Sequence, residues 1–343
     1  MCRNPGEVPA DLRMDEPTFA RVEAELFPTA DMIDLRGWGE SLILPEFADR
    51  ARRASAFGAA LRVVTNLSFR RDDLIDLLAE LEFHVGVSID SADAQVLAFL
   101  RRGASLDRIE QNLKLLSARY QARGIADRLN LYVTCQRPAL PKLADLVDFA
   151  QRVGIHDIRL APVGTGYQFL SIEGAEDELA RALDTLRERA ERAHVRVSFT
   201  ASLVDGMFPR DDAAACLHPW TWCYVSYSGR LGFCDHLLAS DHYTFGSLAD
   251  TPFEEIWNSA AWTTLREEHL GARRKNAPHF TECAWCYKNR YTDCENIVEP
   301  AAEGRRLLLR PALSAAAAGS AHVTSAAGYR AELSSRVFPL RLV

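Results

Sequence analysis

The chain has 343 residues, 48% of them hydrophobic and 25% charged, with 40 basic against 47 acidic side chains and a net charge of −7. That length accommodates one large domain with a smaller one beside it, and the acidic balance argues against nucleic acid, whose phosphates call for clustered Lys and Arg. No run of about 20 uncharged apolar residues is present to cross a membrane, and Met1 to Glu7 lack the apolar core of an export signal, so the expectation is a soluble, cytoplasmic protein.

From residue 29 to residue 165 short apolar runs alternate with longer amphipathic stretches. The runs at Met32–Leu35, Leu61–Thr65, His84–Ile89, Leu129–Thr134 and Ile158–Pro162 have strand length and are rich in Val, Ile and Leu, as strands buried on both faces are. The stretches between them, Leu44–Ala56, Arg71–Leu81, Ser105–Arg123 and Lys142–Val153, read as helices, and Gly154 supplies a C-cap for the last. Repeated strand–helix units predict a parallel sheet with right-handed crossovers, whose working residues sit at the C-terminal strand ends.

A charged helix is predicted at Glu176–His194, with Leu179, Leu183 and Leu186 on one face and a solvated face of i,i+4 ion pairs opposite. A strand at Val195–Thr200 follows. The composition then changes: Ala215 to Asn296 hold five tryptophans and six cysteines among short strands and turns, read as a small separate domain. Beyond Pro300 the alanine-rich sequence is biased, basic and poor in core pattern, which predicts a mostly disordered tail over 301–343.

Of eight cysteines, Cys2 and Cys135 stand alone and Cys216, Cys223, Cys234, Cys283, Cys286 and Cys294 cluster. In a reducing compartment clustered cysteines point to a metal or a cluster. A strand, a turn at Ser228–Gly229 and a second strand bring Cys216 or Cys223 back towards Cys234. Cys283-Ala-Trp-Cys286 presents two further sulfurs from one turn. Four such thiolates suit either zinc or an iron–sulfur cluster. Cys135 reads as a buried strand cysteine, and Trp220, Trp222 and Trp257 as core residues.

Cys2-Arg-Asn-Pro5, then Gly37-Trp38-Gly39-Glu40 after the first run, Thr65-Asn66 after the second and Ser88-Ile89-Asp90 after the third resemble, in this order, the core domain of radical SAM enzymes. Cys216-x12-Gly229-x4-Cys234, Phe245-Gly246-Ser-Leu248, Ile256-Trp257-Asn258 and Cys283-x2-Cys286 resemble the SPASM or twitch domain. The resemblance implies an α/β fold, a partial (β/α)6 barrel lacking its first strand over residues 1–200, followed by a cysteine-rich SPASM/twitch domain over 201–300. It implies two 4Fe–4S clusters, one catalytic and one auxiliary, with S-adenosylmethionine as co-substrate. Cys2 matches the third cysteine of the Cys-x3-Cys-x2-Cys loop. Gly37, Gly39 and Glu40 match the segment at the methionyl amine, and Ser88 and Asp90 match positions near the ribose and methionine parts. By strand-end chemistry alone, Ser88 or Asp90 serves equally as a helix N-cap, and Thr65 and Asn66 as a turn.

For the auxiliary cluster the resemblance favours Cys216, Cys234, Cys283 and Cys286, with Cys223 and Cys294 as alternates. The first two cysteines of the loop are absent, and a coding start set inside the motif is the expected reason, a true deletion the alternative. The implied activity is a radical SAM oxidoreductase or maturase. Its radical takes hydrogen from a small metabolite or a peptide, with an electron donor such as flavodoxin or ferredoxin. The missing peptide-recognition module favours a small molecule or a separate partner protein. The competing reading is a non-catalytic iron–sulfur or zinc-binding protein.

Overall fold

A computed structural model describes residues 13–37, 39–163, 167–199, 218–234, 237, 243–270, 283 and 340–342. The chain opens with a helix that sequence reading passed over, α1 (Glu16–Glu25). Asp15 caps it by accepting the Thr18 N–H at 2.9 Å, Pro17 lies in its first turn, and Phe19 and Val22 are buried. Then come β1 (Ala30–Asp34), α2 (Phe47–Ser55), β2 (Ala60–Thr65), α3 (Asp72–Glu80), β3 (His84–Ser88), a short α4 (Ala94–Leu100) and α5 (Leu106–Ala122). The series continues with β4 (Leu129–Cys135), α6 (Asp145–Val153), β5 (Asp157–Pro162), α7 (Glu176–Ala193) and β6 (Arg196–Phe199). Each expected strand and helix in this region forms, within a few residues of its expected bounds. Helix α4 is the second element not anticipated. Asp93 caps it, accepting from the N–H groups of Gln95 and Val96.

Helix α6 ends as its sequence predicts. Gly154 sits at φ +75°, and a Cβ there would lie 2.6 Å from Ser117 Oγ, so both the left-handed backbone and the contact with α5 call for glycine.

The six strands are parallel, in the order β6-β5-β4-β3-β2-β1. Their two faces differ sharply. Ile33, Leu61, Val63, Val85, Val87, Leu129, Leu131, Val133, Ile158 and Leu160 join the hydrophobic core, together with Leu74, Leu78, Leu113, Leu116, Phe149 and Leu186 of the flanking helices. The alternate residues, Asp34, Arg62, His84, Asn130, Tyr132 and Arg159, line the other face. The expectation of strands apolar on both faces therefore needs correction: one face is polar.

The C-terminal part begins with α8 (His218–Thr221), β7 (Trp222–Val225) and β8 (Arg230–Gly232), and continues through β9 (Gly246–Ser247), α9 (Phe253–Trp257) and α10 (Ala260–Leu270). Strands β7, β8 and β9 pair antiparallel, with the expected turn at Ser228–Gly229. Trp220 and Trp222 are buried as expected, and the Trp257 ring packs 4.6 Å from that of Trp262. Cys223, Leu231 and Phe233 belong to the same continuous core as the parallel strands.

Within the tail that the sequence predicts to be mostly disordered, three residues form a strand. β10 (Leu340–Leu342) lies between β1 and β7, parallel to both. The alternating Leu-Arg-Leu pattern suits an extended backbone, and two open strand edges flank it. No described helix is long and apolar enough to cross a membrane.

Candidate functional site

Glu40 follows β1 in a segment with Gly37 and Gly39, where a Cβ on either glycine would meet nothing within 4 Å. Its carboxylate is tied to the end of β2. Oε1 accepts from Thr65 Oγ1 at 2.9 Å and Oε2 from the Asn66 N–H at 2.8 Å. Oε1 also lies 3.4 Å from the Leu42 N–H, so Glu40 caps the 3-10 turn Ser41–Ile43. Burial raises the Glu40 pKa above the usual carboxylate range, opposed by the bonds from Asn66, Thr65 and Leu42. Each carboxylate oxygen has two acceptor positions, so Oε2 keeps one beyond its bond to Asn66.

The loop that presents Thr65 and Asn66 is itself held. Thr65 Oγ1 accepts from the Leu67 N–H at 3.0 Å, and Asn66 Oδ1 from the Ser68 N–H at 2.8 Å. Leu67 adopts φ +52°, a conformation costly for a branched side chain. The buried Asn112 of α5 clamps it, donating to the carbonyls of Leu67 at 2.8 Å and Phe69 at 2.9 Å. Thr65 and Asn66 are thus a built turn that positions Glu40. Asn112 carries no motif, and its partners lie 43 and 45 residues away, so the sequence held no signal for it.

Ser88 ends β3, half-buried, in register with Tyr132 of β4. Asp90, two residues on, is wholly buried and held from four directions. Arg101 grips it with Nε at 2.8 Å and Nη2 at 2.9 Å, the Thr134 N–H donates at 3.0 Å and Gln136 Nε2 at 3.0 Å. Its oxygens each accept two bonds, filling the acceptor positions a carboxylate has. Asp90 joins the ends of β3, α4 and β4. Asp93, not Asp90, is the cap of the helix that follows.

Beneath these strand ends lies a charged layer on the polar face. Asp34 pairs with Arg36 at 3.3 Å and Arg62 at 3.5 Å, and Arg62 Nη2 donates to Tyr132 Oη at 2.6 Å. Asp157 receives Arg159 at 2.8 Å and Arg196 at 3.0 Å. This layer was missed, although Arg62, Tyr132 and Arg159 interrupt apolar runs at period two, the pattern of a strand with one polar face.

Among the cysteines of this domain, Cys223, Cys234 and Cys283 lie within the described residues. The hairpin register sets Tyr224 against Gly232, so Cys223 and Cys234 sit at the same end of it. Cys283 is buried. Cys223 is fully enclosed, and burial pushes its thiol pKa well up, favouring the protonated form. Cys135 is buried in the core, as its strand position suggested. Cys2, Cys216, Cys286 and Cys294 lie outside the described residues.

Residues 216–287 match the SPASM family, an iron–sulfur cluster-binding domain. Over 270 residues the chain is 26% identical to the tungsten-containing aldehyde ferredoxin oxidoreductase cofactor-modifying protein of Pyrococcus furiosus, covering 74% of this chain and 75% of that protein. Its fold is similar to that of Streptococcus suis SuiB in complex with S-adenosylmethionine, with a TM-score of 0.57 and 13% identity over 76% of this chain and 64% of SuiB. SuiB has also been solved with its precursor peptide SuiA. The fold is similar again to anSMEcpe with bound AdoMet, at a TM-score of 0.59 and 12% identity over 81% of this chain and 79% of that one, and anSMEcpe has been solved with AdoMet and the Kp18Cys peptide. Residues 216–287 thus match an iron–sulfur cluster-binding SPASM domain, and the fold of the chain is similar to that of two proteins solved with S-adenosylmethionine bound.

Proposed function

We propose that the chain binds S-adenosylmethionine beside Glu40 and an auxiliary 4Fe–4S cluster in its cysteine-rich domain, and that it belongs to a radical SAM oxidoreductase acting on a peptide. The observation that carries the reading is the half-buried Glu40 carboxylate. Thr65 and Asn66 fix its direction, open space flanks it at Gly37 and Gly39, and one acceptor position on Oε2 can take a charge-assisted bond from the methionyl ammonium. When bound, these cofactors supply a 5′-deoxyadenosyl radical and an electron acceptor. The protein's part is to hold and shield them.

Glu40 would bind the ammonium directly. Asp90 acts as a positioning residue, since its oxygens are already filled and it fixes the strand ends through Arg101, Thr134 and Gln136. Ser88 stands at the adjacent strand end for the ribose or methionine part. Cys234 and Cys283, with Cys216 and Cys286, are the proposed auxiliary ligands, with Cys223 and Cys294 as alternates. For the catalytic cluster these residues supply a single matching cysteine, Cys2, and one thiolate does not hold a 4Fe–4S cluster that needs three.

A peptide substrate is supported by the peptide complexes of SuiB and anSMEcpe. A second reading, a small cofactor precursor, is favoured by the P. furiosus relative, which is named for cofactor modification. The test is iron and sulfide content, visible absorbance and 5′-deoxyadenosine release on anaerobically purified protein, with this chain and an upstream-extended form side by side. The reading expects about four irons in this chain and about four more in the extended one. It also expects S-adenosylmethionine cleavage by the extended form, weakened by Glu40→Gln. Colourless protein holding zinc, or no cleavage by the extended form, overturns it. Stimulation of cleavage by low-mass fractions but not by peptides selects the second reading.

A further inference from the structure

Six large apolar side chains are exposed among the described residues. Four of them, Ile43, Phe99, Tyr167 and Phe169, lie in connections that leave the C-terminal ends of β1, β3 and β5, the end of the sheet that carries Glu40 and Asp90. Three of the four adjoin one another. The Phe99 ring of α4 lies 6.4 Å from that of Phe169, and the Tyr167 ring 5.9 Å from the same Phe169. Single apolar residues scattered over a surface need no explanation, whereas adjoining rings exposed at 64%, 58% and 61% do.

The rings stand on the strand-end network and not on the main core. Leu100 and Leu170, next in sequence to Phe99 and Phe169, pack with Ala139 into a small core of their own. The Leu170 carbonyl accepts from the Arg137 N–H at 3.1 Å. Arg101 and Gln136, which follow Leu100 and precede Arg137, both bind Asp90. The cations of these elements are engaged but for one. Arg101 pairs with Asp90, Arg137 with Glu178 at 2.7 Å and Lys142 with Asp93. Arg102, exposed in the turn after α4, has no acidic partner among the described residues.

Area and charge select the occupant. At that exposure three rings offer roughly 350 Å², under half of the ~800 Å² that each partner contributes to a stable protein–protein interface. A second copy of the chain needs more, while an extended peptide anchored by one or two side chains does not. The spare cation calls for an anionic group beside the apolar one.

We propose that Phe99, Tyr167 and Phe169 form a docking pad for an extended peptide segment that carries an aromatic or aliphatic side chain next to an acidic residue, the acid meeting Arg102. That the docked peptide is also the substrate rests on the reading proposed above. The pad holds it at the strand ends, on the elements that fix Asp90.

Panning a random short-peptide phage library against the full chain tests the pad. The enriched peptides should place Phe, Tyr, Trp or Leu beside Asp or Glu. By fluorescence anisotropy, a fluorescein-labelled enriched peptide should bind roughly tenfold or more weakly to Phe99→Ser/Phe169→Ser. It should also bind more weakly to Arg102→Glu, with the loss recovered when Lys replaces the acid of the peptide. No enrichment, or equal binding to the wild type and the double variant, overturns the proposal. So does a concentration-dependent dimer in sedimentation that the double variant abolishes, since it puts a second copy on the pad. If hydrogen exchange at residues 129–135 shows the double variant unfolded, the charge swap at the exposed Arg102 decides alone. Pad binding in an extended form that fails to cleave S-adenosylmethionine keeps the pad and removes the radical reading, and cleavage without pad binding does the reverse.

Discussion

The two faces of the parallel sheet are made by the same strands and obey opposite rules. On the helix-covered face, Val63, Val85, Leu131 and Ile158 are wholly excluded from solvent and packed into one core. Burial of such side chains stabilises by about 1.5–3 kcal/mol each. One residue along each strand, the other face carries Arg62, His84, Tyr132 and Arg159, where charges are paired across strands and nothing comparable is gained by desolvation. The first face makes the sheet. The second, with the strand ends above it, makes a polar floor on which a charged ligand can be oriented. A strand in this molecule is therefore a device for holding a charge at a set height over an apolar layer.

The largest effect is expected where a charge is fixed by that scheme with no water to replace it. Asp90→Ala removes a wholly buried carboxylate and strands Arg101, the Thr134 N–H and Gln136. The loss should be about 3–5 kcal/mol in urea unfolding. Combining it with Arg101→Ala should cost less than the sum of the two single changes, because both act on one network. Additive losses would show that the four bonds do not work together.

Next comes the contrast between the faces themselves. Leu131→Ala, in the middle of the central strand β4, should cost about 2–5 kcal/mol. Val64→Ala, half-buried on the polar face, should cost under about 1 kcal/mol, since only part of its surface was withheld from water. Equal losses at the two positions would mean that the polar face is packed as tightly as the core.

The strand and helix series could be read from the sequence because period and breakers both spoke for it, as with Gly154 after Val153. Helix α1 was legible too, in Asp15, Pro17 and the spacing of Phe19, Val22 and Leu26, but it precedes the first strand and fell outside the repeating pattern. The polar face was written at Arg62, Asn130 and Arg159 and was lost by weighing each run as a whole instead of residue by residue. Glu40 could be picked out through its glycines, while its restraint by Thr65 and Asn66 depends on two strand ends meeting. Asp90 has partners up to 46 residues away, and β10 pairs with residues more than a hundred positions distant in sequence. Contacts of that range leave no local signature.

A smaller effect tests how closely the polar face is fitted. Gly86 lies on β3 beneath the ring of Tyr132, and a Cβ added there would come within 2.9 Å of a ring carbon. Gly86→Ala must displace the ring and with it the Arg62 hydrogen bond to Tyr132 Oη, a cost of about 1–3 kcal/mol in thermal or urea unfolding. Shortening the side chain in Gly86→Ala/Tyr132→Leu should recover part of that loss. A double variant no more stable than Gly86→Ala alone would place the strain in the backbone of β3 and not in the ring contact.

The last prediction concerns acid, and at neutral pH it expects almost nothing. Burial, and then the charges of Arg128, Arg62 and Arg159, pull the pKa of His84 down from 6.5 to about 3. The native protein thus keeps the imidazole neutral where the unfolded chain would protonate it. Because the native pKa is depressed, the contribution of His84 is fully present above pH 6.5 and is lost as pH falls from there towards 3, when unfolding takes up a proton. Replacing it in His84→Gln should leave the unfolding free energy nearly unchanged at pH 7.5. Between pH 6 and 4 the variant should lose up to about 1.4 kcal/mol less per pH unit than the wild type. Taking the difference between the two proteins cancels Glu40, whose raised pKa acts in the opposite direction. Parallel acid limbs would mean that water reaches His84, and that the polar face is open to solvent at the foot of β3 as well as at the strand ends.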